Sequence, residues 1–182
     1  WVDVLTTTLD YWKFSITNVI TRIDVQNEIN SCVAGDTQSC DSVNITPAGD
    51  LSNLILALTN VGSQKTSGID WNIGYTADNY RINLDTTYLV EFEQDAIDYT
   101  GTIDGNIGGY SKIKSNLSVN YDLSDAFSVL YNARFIRGMS GDYYGESIST
   151  DNIVYHDISM TYNLNESQKV KGGMNNIFDK ET

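Results

Sequence analysis

The chain has 182 residues, with 24 acidic against 11 basic side chains and a formal net charge of -13. That balance excludes recognition of a phosphate backbone, which needs a basic patch, whereas the Lys and Arg here are scattered. Hydrophobic residues make up 41% of the chain, yet no apolar run reaches the ~18 residues that a membrane-crossing helix needs. A helical span is thereby excluded; a strand crossing is not, because only alternate residues of a barrel strand face lipid.

In chain order, a first strand is expected over residues 4–20, with Trp12, Phe14 and Ile16 on one side and Tyr11, Lys13 and Ser15 on the other. A long polar excursion follows. It holds a helical turn expected around residues 24–30, the only proline, Pro47, and the segment C-VAGDTQS-C closed by Cys32 and Cys40. With no neighbouring His or third Cys, and without C-x-x-C spacing, the pair reads as a disulfide rather than a zinc or redox site. That points to an oxidising compartment or the cell exterior.

After Gly49 an unusually long stretch is expected, in which Ile55, Ala57, Thr59 and Val61 prefigure the cleaner file Ile69, Trp71, Ile73 and Tyr75, opposite Asp70, Asn72, Gly74 and Thr76. The tight connection at residues 76–79 makes a hairpin with the most regular run of all. There Tyr80, Ile82, Leu84, Thr86, Tyr88, Val90 and Phe92 form one file and Arg81, Asn83, Asp85, Thr87, Glu91 and Glu93 the other. A long loop over 94–109 leads to a strand with Ile113, Leu117, Val119 and Tyr121 opposite Lys112, Lys114, Asn116, Ser118 and Asn120. A short turn at 122–126 precedes Phe127, Val129, Tyr131, Ala133 and Phe135, opposite Ser128, Asn132 and Arg134. Another long loop, 138–151, is followed by Val154, Ile158, Met160 and Tyr162, a short turn at 163–168, and a last strand over 169–176.

About seven strands with one greasy and one wet face, joined alternately by short turns and long loops, describe an all-β, antiparallel, up-and-down transmembrane β-barrel segment. Outer-membrane lipid would wet the greasy face, long loops would lie outside the cell and short turns in the periplasm. Tyr75, Tyr80, Tyr121, Phe127 and Tyr162 fall near the short-turn ends of the greasy file, where a barrel places an aromatic girdle. The rival reading is a secreted soluble all-β carbohydrate-binding module whose greasy file is an ordinary core; a passive porin is a third.

In a barrel, Arg81, Lys112, Lys114 and Arg134 face the lumen, pairing with carboxylates of a plug or lining the wall. For ligand contact the loop aromatics Tyr99, Tyr110, Tyr143 and Tyr144 are favoured, because rings stack on sugars or flat aromatic chelates; packing within the loops is the competing role. The lone His156, beside Val154 and Ile158, reads as an interfacial residue. Glu91, Glu93, Asp95 and Asp98 read as a solvated rim, with a calcium site as the alternative. No Ser-His-Asp set and no phosphate loop is present, so no catalytic residue, resident metal or cofactor is expected and the chain is not read as an enzyme.

Three stretches resemble one family. The run from Asn60 to Tyr75, with Gly62, Ser63, Thr66, Ser67, Gly68, Ile69 and Asp70, resembles the "N-x-g-s-x-x-t-s-G-i-D" strand of TonB-dependent outer-membrane receptors. Residues 155–162 (YHDISMTY) and 172–180 (GGMNNIFDK) resemble that family's near-terminal hairpin, and Asp10-Tyr11-Trp12-Lys13-Phe14 with the Cys loop is similar to its upstream strand. The resemblance implies a barrel of about 22 strands around an N-terminal plug, in the outer membrane of a Gram-negative bacterium. It also implies uptake of a scarce nutrient, such as a ferric siderophore or carbohydrate, driven by a TonB-type partner through that plug. On this reading residues 1–182 are a C-terminal part of the barrel domain, with plug and last strand absent.

Overall fold

The structure, a computed structural model, describes residues 3–22, 25–46, 48, 50–55, 58–60, 62–104, 108–143 and 146–181. Pro47, Gly49, Ala57, Val61 and Tyr144, and the side chain of Tyr143, lie outside the described residues. The elements are β1 (Val4–Thr17), β2 (Ile20–Arg22), α1 (Val25–Val33), α2 (Thr37–Ser42), β3 (Val43–Ile45), β4 (Leu51–Leu54), β5 (Leu58–Asn60), β6 (Ser63–Thr76), β7 (Tyr80–Gln94) and β8 (Ile97–Asp98). They continue with β9 (Ile103–Asp104), β10 (Gly108–Gly109), β11 (Ile113–Ser124), β12 (Phe127–Ile136), β13 (Ser140–Tyr143), β14 (Glu146–Ser149), β15 (Ile153–Asn165) and β16 (Gln168–Met174). Two units are distinguished: a wall of residues 1–14 and 65–182, and a head of residues 15–64.

The wall is one antiparallel sheet in the order β1-β6-β7-β11-β12-β15-β16, with β8 pairing β7 off that path. Chain order and spatial order coincide, as up-and-down topology requires. The short turns are tight: the Ala77 N–H donates to the Tyr80 carbonyl at 2.9 Å, and β11 and β15 run on through Ser124 and Asn165, each with a register shift just before its turn. The last strand is shorter than expected. It stops at Met174 because Asn176 takes φ 49° and gives its N–H to Asp157 Oδ1 at 2.8 Å, while the Ile177 N–H donates to the His156 carbonyl at 2.8 Å.

Register carries the two faces intact across the sheet. One row reads Ile82, Val119, Tyr131, Ile158 and Met174; the next toward the short turns reads Tyr80, Tyr121, Val129, Met160 and Gly172. Between rows of that kind, on the other face, lie Asn83, Ser118, Asn132 and Asp157, then Asp85, Asn116, Arg134 and Tyr155. The apolar rows are not sealed: Ile82, Val119 and Val129 are half-exposed, and Val43 and Phe92 are the only buried hydrophobic residues among those described. A soluble module needs that face covered, so a 14-residue strand with Leu9 at 69% exposure describes a surface made for an apolar solvent. Tyr75 meets Tyr80 at 5.6 Å and Phe127 meets Tyr162 at 6.4 Å between ring centres, forming the expected aromatic level at the short-turn ends.

On β1 the greasy file is Leu5, Leu9 and Tyr11, with Thr7 accepting from the Trp71 indole at 2.9 Å. Trp12 points to the opposite, polar face and lies over Gly68.

The head departs from the expected long strand after Gly49. β4 pairs β3 and β5 pairs β2, so neither continues into the wall, which resumes only at Ser63. The expected single helical turn is two helices. Helix α1 ends where the Gly35 and Asp36 N–H groups return to the Cys32 and Ser31 carbonyls at 3.0 Å each, with Gly35 at φ 97°, a left-handed exit that glycine permits. Asp36 then caps α2, accepting from the Gln38 N–H at 3.2 Å and the Ser39 hydroxyl at 3.0 Å. The disulfide expected between Cys32 and Cys40 is present and pins the two helices together. Closing so short a loop removes about 2–3 kcal/mol of unfolded-state freedom. Reduction is therefore expected to raise amide exchange across residues 25–42 while leaving the β7–β11 ladder unchanged, as hydrogen-exchange mass spectrometry with and without reductant would read.

Candidate functional site

The two long connections of the wall, residues 95–112 and 137–152, are built onto each other. The Phe92 N–H donates to Thr100 Oγ1 at 2.7 Å and the Thr100 N–H to Asp98 Oδ1 at 2.8 Å. Over this turn Tyr110 stacks on buried Phe92, with centroids 3.7 Å apart and planes inclined by 15°. The Tyr99 N–H donates to the Phe92 carbonyl at 2.8 Å. The two loop tyrosines are thus brought together around Phe92, both half-buried. Burial pushes the Tyr110 phenol above its ordinary value.

Hydrogen bonds from Thr100, side chain first and then backbone, hold the Asp98 carboxyl below the usual carboxylate range. The sign follows: with the folded value depressed, this turn is fully stabilised above the ordinary carboxylate value and loses that support as pH falls through the depressed one. Exchange protection at the Phe92 and Thr100 amides should stay level from neutrality to about pH 4 and drop below it. Asp98→Ala should remove that pH dependence and lower protection throughout.

The second loop joins the first through backbone. The Ser140 N–H donates to the Gly101 carbonyl at 3.3 Å beside an isolated parallel bridge between Thr102 and Ser140. The buried Ser111 hydroxyl lies 2.7 Å from the Arg137 carbonyl and 3.0 Å from that of Ile113, while the Arg137 N–H donates to Ile113 at 2.9 Å. Gly141 sits so close to the Ile103 carbonyl that a side chain there has no room. Within this joined cap is a cleft of about 480 Å³ lined in part by Thr100, Thr102, Lys112, Arg137, Ser140 and Asn152. Lys112 and Arg137 form no ion pair within 4 Å among the described residues, while the Asp151 carboxylate lines the same cleft and Lys112 acts on Asp98 through space, so the cleft gathers two cations beside one carboxylate. A larger cleft of about 690 Å³ lies at the short turns. Its lining groups bond each other, as in Ser167 N–H to Asn165 Oδ1 at 3.0 Å, leaving it the weaker site.

The expected lumen-facing set divides. On the polar face Arg81 pairs with Asp122 at 3.0 Å, and Arg134 pairs with Asp157 at 3.6 Å while lying 5.1 Å from the centre of the Tyr155 ring. Lys114 occupies a rung between Thr87 and Ile136. Lys112 precedes β11 and lies along Gly101 in the cap. Of the rim carboxylates, Glu93 binds Lys65 at 2.6 Å, and no cluster of three metal-ligating side chains occurs among the described residues. His156 lies on the apolar face, its Nδ1 hydrogen-bonded to the Tyr131 hydroxyl and its ring edge-on to Phe178 at 4.9 Å. Arg137 carries no signal in the sequence, and Phe92 shows there only as the last member of the greasy file that starts at Tyr80. Each stands at a strand end, where alternation no longer says what a side chain meets.

The chain matches the family described as "TonB dependent receptor-like, beta-barrel" over residues 1–177. It superposes on the siderophore receptor PirA from Acinetobacter baumannii at TM-score 0.62 and 13% identity, covering 97% of this chain and 26% of that one. The ferric enterobactin receptor PfeA from Pseudomonas aeruginosa, in complex with BCV-L6, gives 0.63 and 16%, with coverage of 97% and 24%. The FrpB iron transporter from Neisseria meningitidis gives 0.62 and 12%, with 97% and 25%. The chain thus spans about a quarter of the length of these structures, and no curated protein sequence matches it. The ordered sheet with its lipid-type face and this family match over nearly the whole chain lead to one conclusion: the chain belongs to the TonB-dependent receptor β-barrel family.

Proposed function

We propose that the chain forms part of the wall and ligand-receiving loops of a Gram-negative outer-membrane receptor that imports a scarce nutrient, a ferric siderophore or similar chelate, with energy delivered by a TonB-type protein through a plug in the same barrel. On this reading residues 1–182 are one portion of the barrel domain, and the receptor carries out no bond chemistry. The observation that carries the reading is the continuous apolar face running in register across the wall while the opposite face stays polar. The cap cleft supports the ligand end: Lys112 and Arg137 offer charge to an anionic chelate there, and Tyr99, Tyr110, Tyr143 and Tyr144 are assigned ring contacts with the ligand on their chemistry and their place in the same two loops. Arg81, Lys114 and Arg134 line the lumen.

The test is uptake by a strain lacking the gene and complemented with the full-length receptor under iron limitation. Wild-type complementation should restore uptake of the cognate chelate only when the proton-motive force is intact. Lys112→Gln with Arg137→Gln should weaken chelate binding about tenfold or more, the scale of losing charge-assisted hydrogen bonds, without lowering receptor in the outer membrane. Recovery of the receptor as a soluble secreted protein would refute the reading.

A further inference from the structure

The polar side chains lining the cap cleft are already half spent, and on one side only. The Gly138 N–H donates to Asn152 Oδ1 at 2.9 Å and the Met139 N–H to Thr150 Oγ1 at 2.9 Å. Each oxygen thus serves a backbone donor, while the Asn152 amide N–H groups and the Thr150 O–H meet no acceptor among the described residues. The Ser140 hydroxyl, in the same lining, bonds nothing among them either. Lys112 and Arg137 add donors that have no acceptor lone pair at all. Against this array stands one carboxylate, Asp151. The surplus in the cleft is therefore of donors and of positive charge.

The two cations are rooted together. The Lys112 stem lies along Gly101, where a Cβ would come within 2.8 Å of Cε and 3.0 Å of Cγ. Arg137 is tied through its backbone: its N–H donates to the Ile113 carbonyl at 2.9 Å, and its own carbonyl lies 2.7 Å from the hydroxyl of buried Ser111, the residue before Lys112. Setting donors in place before the ligand arrives lowers the cost of binding it. No aromatic residue among those described lines the cleft, and the Tyr110 ring has one face on Phe92. A catecholate chelate spends its charged oxygens on the metal and turns ring surface outward, so here it would leave the donors unmet. A chelate built from aliphatic carboxylic acids carries carboxylate oxygens at its surface, which are acceptors only.

We infer, resting on the receptor reading above, that the ligand received at this cleft is an aliphatic polycarboxylate chelate rather than a catecholate. Its carboxylate oxygens accept from Lys112, Arg137, the Asn152 amide and the Thr150 and Ser140 hydroxyls.

The test is equilibrium binding to the full-length receptor in detergent micelles, with ferric citrate as the polycarboxylate probe and ferric dihydroxybenzoylserine as the catecholate probe. Ferric citrate is expected to bind about tenfold tighter or more, the scale of charge-assisted hydrogen bonds gained. Asn152→Asp keeps an oxygen for the Gly138 N–H but replaces the donor by an anion. It should weaken ferric citrate binding about tenfold while leaving hydrogen-exchange protection at Gly138 unchanged. Ser140→Ala removes a hydroxyl that bonds nothing among the described residues and should weaken binding about threefold. The reverse preference between the two probes overturns the assignment and leaves the receptor reading standing, as does a ferric citrate affinity that neither variant changes. Binding of neither probe overturns it as well, and import then stands or falls by the uptake experiment above, since this assay needs no energised membrane. If Asn152→Asp loses the Gly138 protection, Ser140→Ala decides alone.

Discussion

Val119→Arg is expected to destabilise the assembled receptor in a bilayer by about 2–4 kcal/mol, the cost of a cation near the midplane on a lipid-facing barrel position. Val119 sits in the row Ile82, Val119, Tyr131, Ile158, Met174, midway along the strands and flanked on both sides by apolar neighbours. One residue earlier, Ser118 lies between Asn83 and Asn132 on the polar face. There the same substitution should cost less than about 1 kcal/mol, as exposed polar positions usually do. Denaturant titration of folding into lipid vesicles reads both values. Equal costs at the two sites would mean that both faces meet the same solvent, and the membrane assignment of the apolar rows would fail.

Gly68→Val should be as damaging for a different reason. A Cβ at this position meets the Trp12 indole and lies 2.9 Å from the Tyr88 carbonyl, so it presses on a bulky ring and on backbone at once. Ser67 beside it is 2% exposed, which leaves little room for adjustment. Overpacking of this kind costs about 3 kcal/mol or more when backbone must move. The measured quantity is the fraction of receptor reaching the folded, heat-modifiable form in outer membranes. Adding Trp12→Ala should recover part of the loss, because the ring yields and the carbonyl does not. A full recovery would place the whole clash on Trp12, and none would remove Trp12 from the account.

The wall was legible because a strand's side-chain period is two and a tight turn leaves register little freedom. The files at Tyr80–Phe92, Ile113–Tyr121 and Phe127–Phe135 needed only alternation, and the structure aligns them rung by rung. The head was not legible for the converse reason. Strands of three residues, such as β2 and β5, carry no period, and their pairing across the 35 residues of chain from 23 to 57 is fixed by tertiary contact. Trp12 shows the limit of hydrophobicity as a guide to side: its ring is greasy, but Gly68 opposite leaves a vacancy on the polar face that the indole fills. Lys112 shows the limit of parity, since it was grouped with Lys114 by alternation although β11 begins at Ile113. The cap was hidden altogether, because backbone bonds such as Ser140 to Gly101 leave no mark on residue type.

That backbone stitching restricts how such receptors can diversify. Residues 101–103 and 139–141 share bonds and a side-chain-free approach at Gly141, so lengthening either loop alone strips partners from the other. Transplanting one connection into a foreign scaffold would deliver half an interlock. If these loops receive the ligand as proposed, selectivity should be inherited by the couple, and swaps that exchange both segments together are the ones that keep their shape.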